Sequence, residues 1–112
     1  MPINFQQLRK ILKSLEPGIK AYRDEAPTSA VYPYIIYEFV NEGKKTASNS
    51  VLYHKPLYFI AVISDGTESD YLPLRDVLEK RKVAYEDFIA GPFEEENDSR
   101  ITQYITYVRC ID

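Results

Sequence analysis

Two tyrosine-rich apolar runs, separated by a polar segment, most strongly limit what this chain can fold into. The first occupies residues 31–40 (VYPYIIYEFV) and the second residues 55–64 (KPLYFIAVIS). Both runs are strand-like, and in both of them the residues of either parity are mainly apolar. A sheet exposed on one side alternates apolar with polar residues, so these runs predict strands that are covered on two faces. We expect the chain to be too short to cover both faces by itself.

The length and composition are those of one ordinary folded domain. The chain has 112 residues, of which 45% are hydrophobic and 28% charged. Its formal net charge is −3. This weakly acidic balance does not favour a general nucleic-acid-binding surface, so we do not expect nucleic acid as a partner.

The single cysteine, Cys110, excludes an internal disulfide and a multi-cysteine zinc site, and it fits a reducing compartment. The N-terminal residues lack the pattern of a secretory signal, and no apolar stretch reaches the roughly 18 residues of a membrane span. We therefore expect a cytoplasmic protein with no membrane partner.

Two segments have the apolar spacing of short helices. Asn4 is predicted to cap the first helix, in which apolar side chains of residues 5–15 recur at helical spacing until a Pro-Gly pair ends it. The second helix is predicted from residue 69 or 70 to about residue 82, with Pro73 in its first turn.

The remaining segments complete a sheet. A short extended piece is predicted at residues 19–22, and a last strand at about 101–111. Residues 41–50 are rich in turn formers and predict a long hairpin loop, while residues 83–92 predict an irregular edge segment. The order of elements predicts an α+β fold: one domain over residues 1–112, with a mainly antiparallel sheet of about four strands packed on two helices.

The residues that could carry chemistry favour structural interpretations. His54 has no second histidine for a metal pair or a proton relay, and Cys110 lies on an apolar parity of the last strand. The acidic run Glu94-Glu95-Glu96 is predicted to be a solvated turn, because adjacent side chains diverge and no calcium-loop spacing accompanies them. We therefore expect no enzyme activity, no metal and no cofactor. A catalytic role would require an exposed, reactive Cys110 or a functional acidic turn.

Basic and aromatic residues lie together in the sequence of the predicted hairpin. Lys44, Lys45, Tyr53 and Tyr58 combine positive charge with rings, as single-stranded nucleic acid prefers. They leave open an alternative function, a small nucleic-acid or regulatory binding module using residues 41–58. The interpretation we favour is that these lysines keep the hairpin soluble and protect strand edges from pairing.

Assembly is the leading functional hypothesis. Two short helices can cover one face of a small sheet, which leaves a second face, rich in Tyr and Ile, in need of a partner. Copies of one chain would most simply meet this need in a closed ring or a dimer.

A series of short segments then relates the chain to a known family. They include the opening helix at residues 5–13, the strands at 33–37 and 53–62, the acidic helix at 74–80 and the closing strand at 103–107. In this order they resemble small tail-terminator proteins (tail-completion or head-tail joining proteins) of long-tailed bacteriophages and Gram-positive prophages. The likeness covers nearly the whole chain, and the order of elements carries more of it than any single motif.

The resemblance implies a non-enzymatic structural role, in which a hexameric ring caps the finished tail tube and docks to the head connector. It implies a tail tube protein and head-tail connector proteins as partners. It also implies a location in the host cytoplasm during assembly and afterwards in the neck region of the virion tail.

Subunit or tube contacts are expected from the hairpin, the sheet face and the acidic turn. The predicted interface residues are Tyr34, Ile36, Glu42, Lys44, Lys45, Tyr53, Tyr58, Ile60, Glu94 and Glu95. Two segments depart from the family's pattern: Asn41-Glu42-Gly43 lacks an aromatic residue, and the segment around Gly91-Pro92-Phe93 is longer than usual.

Overall fold

A computed structural model describes residues 3–93 and 100–112, and these residues form two short α-helices and a five-stranded sheet. The elements in chain order are α1 (Phe5–Lys13), β1 (Lys20–Arg23), β2 (Tyr34–Ala47), β3 (Ser50–Ser64), a 3-10 turn (Glu68–Tyr71), α2 (Leu72–Lys80), β4 (Ile89–Pro92) and β5 (Thr102–Arg109). The predicted α+β class is confirmed.

Both helices begin where local chemistry favours a start. The Asn4 side chain accepts a hydrogen bond from the Gln7 N–H at 2.9 Å, and Gln7 Oε1 accepts one from the Asn4 N–H at 2.9 Å. This reciprocal capping box satisfies two N–H groups that the first helical turn leaves without partners. In α2 the proline lies in the first turn, where its missing N–H costs no helical hydrogen bond.

The sheet has the strand order β1-β2-β3-β5-β4. Only β1 and β2 pair in parallel, so the prediction of a mainly antiparallel sheet is confirmed for the described residues. The prediction of about four strands omits β4, because Gly91 and Pro92 predict an irregular segment there. Pro92 is tolerated because β4 is an edge strand, where one missing N–H removes no sheet hydrogen bond.

The prediction of a long loop at residues 41–50 is wrong. β2 and β3 continue as a paired hairpin to Ala47 and Ser50, and only Ser48 and Asn49 form the turn. Both turn residues have positive φ (51° and 67°), as a type I′ turn requires. Residues 43–53, which we call the ribbon, are mostly exposed, so they need no apolar alternation and their sequence resembles that of a loop.

The two faces of the sheet are covered to different extents. Leu8 and Leu12 of α1 and Leu74 and Leu78 of α2 pack in one core with the first face, of which Ile60 is fully buried. On the second face, one end is covered by Phe93, Ile101 and side chains of the connector at residues 24–33. The buried members there are Tyr34, Ile36, Ala61, Ile63, Phe93 and Ile101. The chain thus covers one face with helices and part of the other with a connector.

Candidate interaction surface

The other end of the second face is apolar and only half-buried. We call Leu57, Phe59, Ile89, Ile105 and Tyr107 the open face. The antiparallel register of β3 and β5 sets Phe59 opposite Tyr107, with their ring centroids 5.8 Å apart in an edge-to-face contact. Ile89 of the neighbouring β4 is 63% exposed. Along these strands, every second side chain points into the core beneath the helices. The side chains between them form a contiguous apolar surface on the opposite face.

A groove of about 410 Å³ lies at the margin of the open face, and we call it the β5 groove. Its lining consists of Leu57, Glu86, Asp87, Ile89, Tyr107 and Arg109. Its acidic wall is held by backbone contacts: the Glu86 N–H donates to the Tyr107 carbonyl at 3.0 Å. The Glu86 carbonyl accepts a hydrogen bond from Thr106 Oγ1 at 2.6 Å. The carboxylates of this wall are thus anchored through their main chain while the side chains stay exposed.

A smaller hollow of about 250 Å³ lies farther along the same face. Ile36, Phe59 and Ala61 contribute apolar side chains, and Asp24 and Glu38 contribute carboxylates. The second face therefore combines an apolar floor with acidic margins at two places.

The ribbon has the opposite charge and its own exposed apolar residues. Lys44 and Lys45 are exposed, and residues 43–53 contain no Asp or Glu. Val51 is 49% exposed and Leu52 58%. A two-stranded hairpin is only marginally stable by itself, so exposed apolar side chains at its end favour a contact with another surface.

Four of the predicted interface residues lie inside the chain's own packing. Tyr58 and Ile60 belong to the core beneath the helices, with Tyr58 stacked on Phe5 at 4.6 Å between centroids. Tyr34 and Ile36 lie at the connector-covered end of the second face. An interface role for these four stays a prediction.

The other predicted interface residues lie on the ribbon or outside the described part of the chain. By strand alternation, Glu42 and Lys44 lie on one face of the hairpin, and Lys45 and Tyr53 on the other. Glu94 and Glu95 lie outside the described residues. The sequence reasoning missed Ile89, Ile105 and Tyr107. The odd-numbered parity of residues 101–111 contains Ile105 and Tyr107, but that parity alone does not indicate which face the helices cover.

The residues of the nucleic-acid alternative do not form one surface. Lys44 and Lys45 project from opposite faces of the hairpin, and Tyr58 is buried in the helix-side core. A strand that contacted both lysines would have to wrap the hairpin, and it would not reach the Tyr58 ring for base stacking. The geometry therefore does not favour this alternative.

The groups considered for catalysis are engaged in other ways. Cys110 is fully buried, and this burial, with a smaller effect from Asp112, raises the pKa of its thiol to about 11. The thiol is therefore protonated at neutral pH, whereas a nucleophilic cysteine must be a thiolate. His54 Nδ1 lies 3.2 Å from Glu42 Oε2 at an exposed position. Within residues 3–93 and 100–112, no three His, Cys, Asp or Glu side chains form a metal-binding group.

Membrane insertion by a helix finds no support in the described residues. Neither α1 nor α2 has the length and apolar character that crossing a bilayer demands.

The geometry defines a class: a small α+β domain with a half-covered sheet face and a projecting basic ribbon. No protein-family model and no curated protein matches the chain. The fold is similar to that of a chain in the solved structure of the virion of a native gene transfer agent (GTA) particle, with a TM-score of 0.53. The two chains are 12% identical, and the match covers 96% of this chain and 91% of the other. At this identity the similarity shows a shared fold.

Proposed function

We propose that this chain is a structural protein of a phage-type virion, and within it a tail terminator. The observation that carries the proposal is the end-to-end fold similarity to a chain of the gene transfer agent virion. The order of sequence elements, which resembles that of tail-terminator proteins, supports the finer assignment.

The proposed action is geometric and needs no catalysis. Identical subunits form a ring that caps the tail tube and joins it to the head connector. The open face and the ribbon are two distinct apolar surfaces on one subunit, and two distinct surfaces are what a head-to-tail ring requires. The partners are the tail tube protein and head-tail connector proteins. The protein is present in the host cytoplasm during assembly and in the neck of the virion tail afterwards.

The test combines the purified chain with assembled tail tubes. Electron microscopy is expected to reveal it at one tube end, and tube growth is expected to stop when it is added. Tyr107→Glu places a charge on the open face and is expected to abolish the effect, whereas Gln6→Glu on the exposed side of α1 is the matched control. A chain that stays monomeric at high concentration and binds neither tube ends nor connector would overturn the proposal.

A further inference from the structure

The ribbon and the β5 groove are complementary in charge. Residues 43–53 carry two lysines and no carboxylate. The groove wall carries Glu86 and Asp87. Arg109 also lines the groove, and its guanidinium donates to Asn41 Oδ1 and to the Lys55 carbonyl, so the two carboxylates leave the groove with a net negative charge. Surfaces of opposite sign attract and orient one another during association.

The two surfaces are also complementary in polarity. The ribbon exposes Val51 and Leu52, and the groove presents Leu57, Ile89 and Tyr107. An apolar contact ringed by charges of opposite sign is the usual composition of a specific protein interface.

The ribbon cannot occupy the groove of its own molecule. Leu52 and Leu57 are on the same strand, five residues apart, which corresponds to about 17 Å. The hairpin is anchored at its base, because His54 exchanges backbone hydrogen bonds with Asp112 at 3.0 and 3.2 Å. A ribbon that reaches a β5 groove must therefore come from another chain.

We propose that the ribbon of one copy docks in the β5 groove of the next copy. Val51 and Leu52 then cover Leu57 and Ile89. The lysine on the docked face of the hairpin meets the carboxylates of the groove wall, and the other lysine adds positive charge at the margin of the contact. The contact joins two different surfaces, so successive copies continue head to tail and close into a ring. This inference rests on the proposed ring-forming function and assigns its subunit interface.

Charge reversal tests the contact by sedimentation velocity and native mass spectrometry. Lys44→Glu/Lys45→Glu and Glu86→Lys/Asp87→Lys are each expected to weaken self-association by about tenfold or more. The variant with all four changes regains opposite charges at every contact and is expected to recover most of the affinity. Arg9→Glu/Lys10→Glu, on the exposed side of α1, is the matched control and is expected to assemble like the wild type. Assembly that is unchanged by the lysine reversal, or a folded fourfold variant that does not recover, would overturn the proposal.

Disulfide trapping tests the pairing directly. Leu52→Cys/Ile89→Cys is expected to give a ladder of cross-linked multimers with oxidised glutathione, while each single variant gives none, because the two positions meet only between copies. The native Cys110 is buried and does not compete. A closed ring without the ladder overturns the interface and leaves the proposed function standing. The combined absence of a ring, of the cross-linked ladder and of tube binding would overturn both the interface and the proposed function.

Discussion

Arg109 Nη1 donates a hydrogen bond to Asn41 Oδ1 at 3.1 Å, between residues 68 positions apart in the sequence. The same nitrogen donates to the Lys55 carbonyl at 2.9 Å. The guanidinium therefore reaches from β5 across β3 to β2, at the base of the ribbon. Gly43 leaves room for it, because a Cβ at that position would lie 3.3 Å from this nitrogen. This arrangement fixes the ribbon relative to the open face.

Removing this guanidinium is expected to loosen the base of the ribbon. Arg109→Ala should lower the free energy of unfolding by about 1 kcal/mol, below the usual range for hydrogen bonds to a charged group because the site is exposed. Urea titration of dilute protein measures the change. Arg9→Ala, on the exposed side of α1, is the control and should change stability by less than about 0.5 kcal/mol. Equal effects of the two substitutions would contradict the structural role of Arg109.

The turn of the ribbon should gain stability from glycine. Ser48 has a φ of 51°, a conformation that glycine adopts without steric cost. Ser48→Gly is expected to be neutral or to stabilise the protein by up to about 0.5 kcal/mol, and Ser48→Val to destabilise it by about 1 kcal/mol or more. Ser29→Gly is the control, because Ser29 has no positive φ. Glycine there should only increase the conformational freedom of the unfolded chain and so lower stability slightly. Thermal unfolding would contradict the type I′ turn if Ser48→Gly and Ser29→Gly were equally destabilising.

The capping box at the start of α1 should contribute measurably to stability. Asn4→Ala removes the acceptor for the Gln7 N–H and is expected to cost about 1 kcal/mol. Asn4→Asp retains an acceptor and should cost much less. Gln6→Ala is the nearby control at an exposed helical position, where alanine is at least as favourable as glutamine. Chemical denaturation that gives the same midpoint for Asn4→Ala and the wild type would exclude a significant cap.

The end of β3 should depend on one buried hydroxyl. Ser64 is fully buried, its Oγ donates to Asp70 Oδ2, and it accepts from the Gly66 N–H at 2.9 Å. Ser64→Ala leaves both groups without this partner and is expected to cost about 1–3 kcal/mol. Ser69→Ala, which alters an exposed hydroxyl pair, is the control. If the two serine variants have equal urea midpoints, the buried hydroxyl does not stabilise the strand end.

Burial of Cys110 should make its contribution to stability depend on alkaline pH. Its pKa is raised to about 11, whereas an unfolded cysteine titrates near its ordinary value of about 8.5. Above that value the unfolded chain loses the proton first, so the contribution is complete at neutral pH and declines as the pH rises toward 11. The stability advantage of the wild type over Cys110→Ala should therefore shrink by about 2 kcal/mol between pH 8 and 10.

This comparison reports mainly the thiol. Burial also raises the pKa of Tyr58 and of Tyr104, and both tyrosines are present in the two variants, although Cys110 makes a smaller contribution to the raised pKa of Tyr58. Urea titrations at several pH values provide the measurement. An advantage that stays constant up to pH 10 would mean that the thiol is accessible to water.

Local sequence signals predicted the helix starts and the end of β3 well. Asn4 acts through hydrogen bonds within the first helical turn, and Pro73 through its fixed φ and missing N–H in the first turn, so a few neighbouring residues suffice to recognise both. The hairpin connection itself is predicted, but the extension of β2 and β3 through the ribbon is not, because the exposed ribbon has no apolar alternation. The strand β4 is not predicted because Pro92 suggests a break. In both places, pairing with a distant strand outweighs the local preference.

The same limit of local sequence signals applies to the candidate interaction surface. Tyr58 and Ile60 were assigned to an interface by their apolar character, but they lie beneath the helices. Ile105 and Tyr107 lie on the half-buried second face instead. Both parities of these strands are apolar, so sequence alone does not distinguish the face that packs inside from the face that stays open.

The sequence by itself determined that the chain has two strands with apolar residues on both faces, because alternation along a strand is a property of adjacent residues. Only the tertiary structure decided which face each residue occupies. The helices pack on one face, whereas Phe93 and the connector at residues 24–33 cover one end of the other. These contacts join segments that are distant in the chain, and among the described residues they leave the open face half-buried and the basic ribbon exposed.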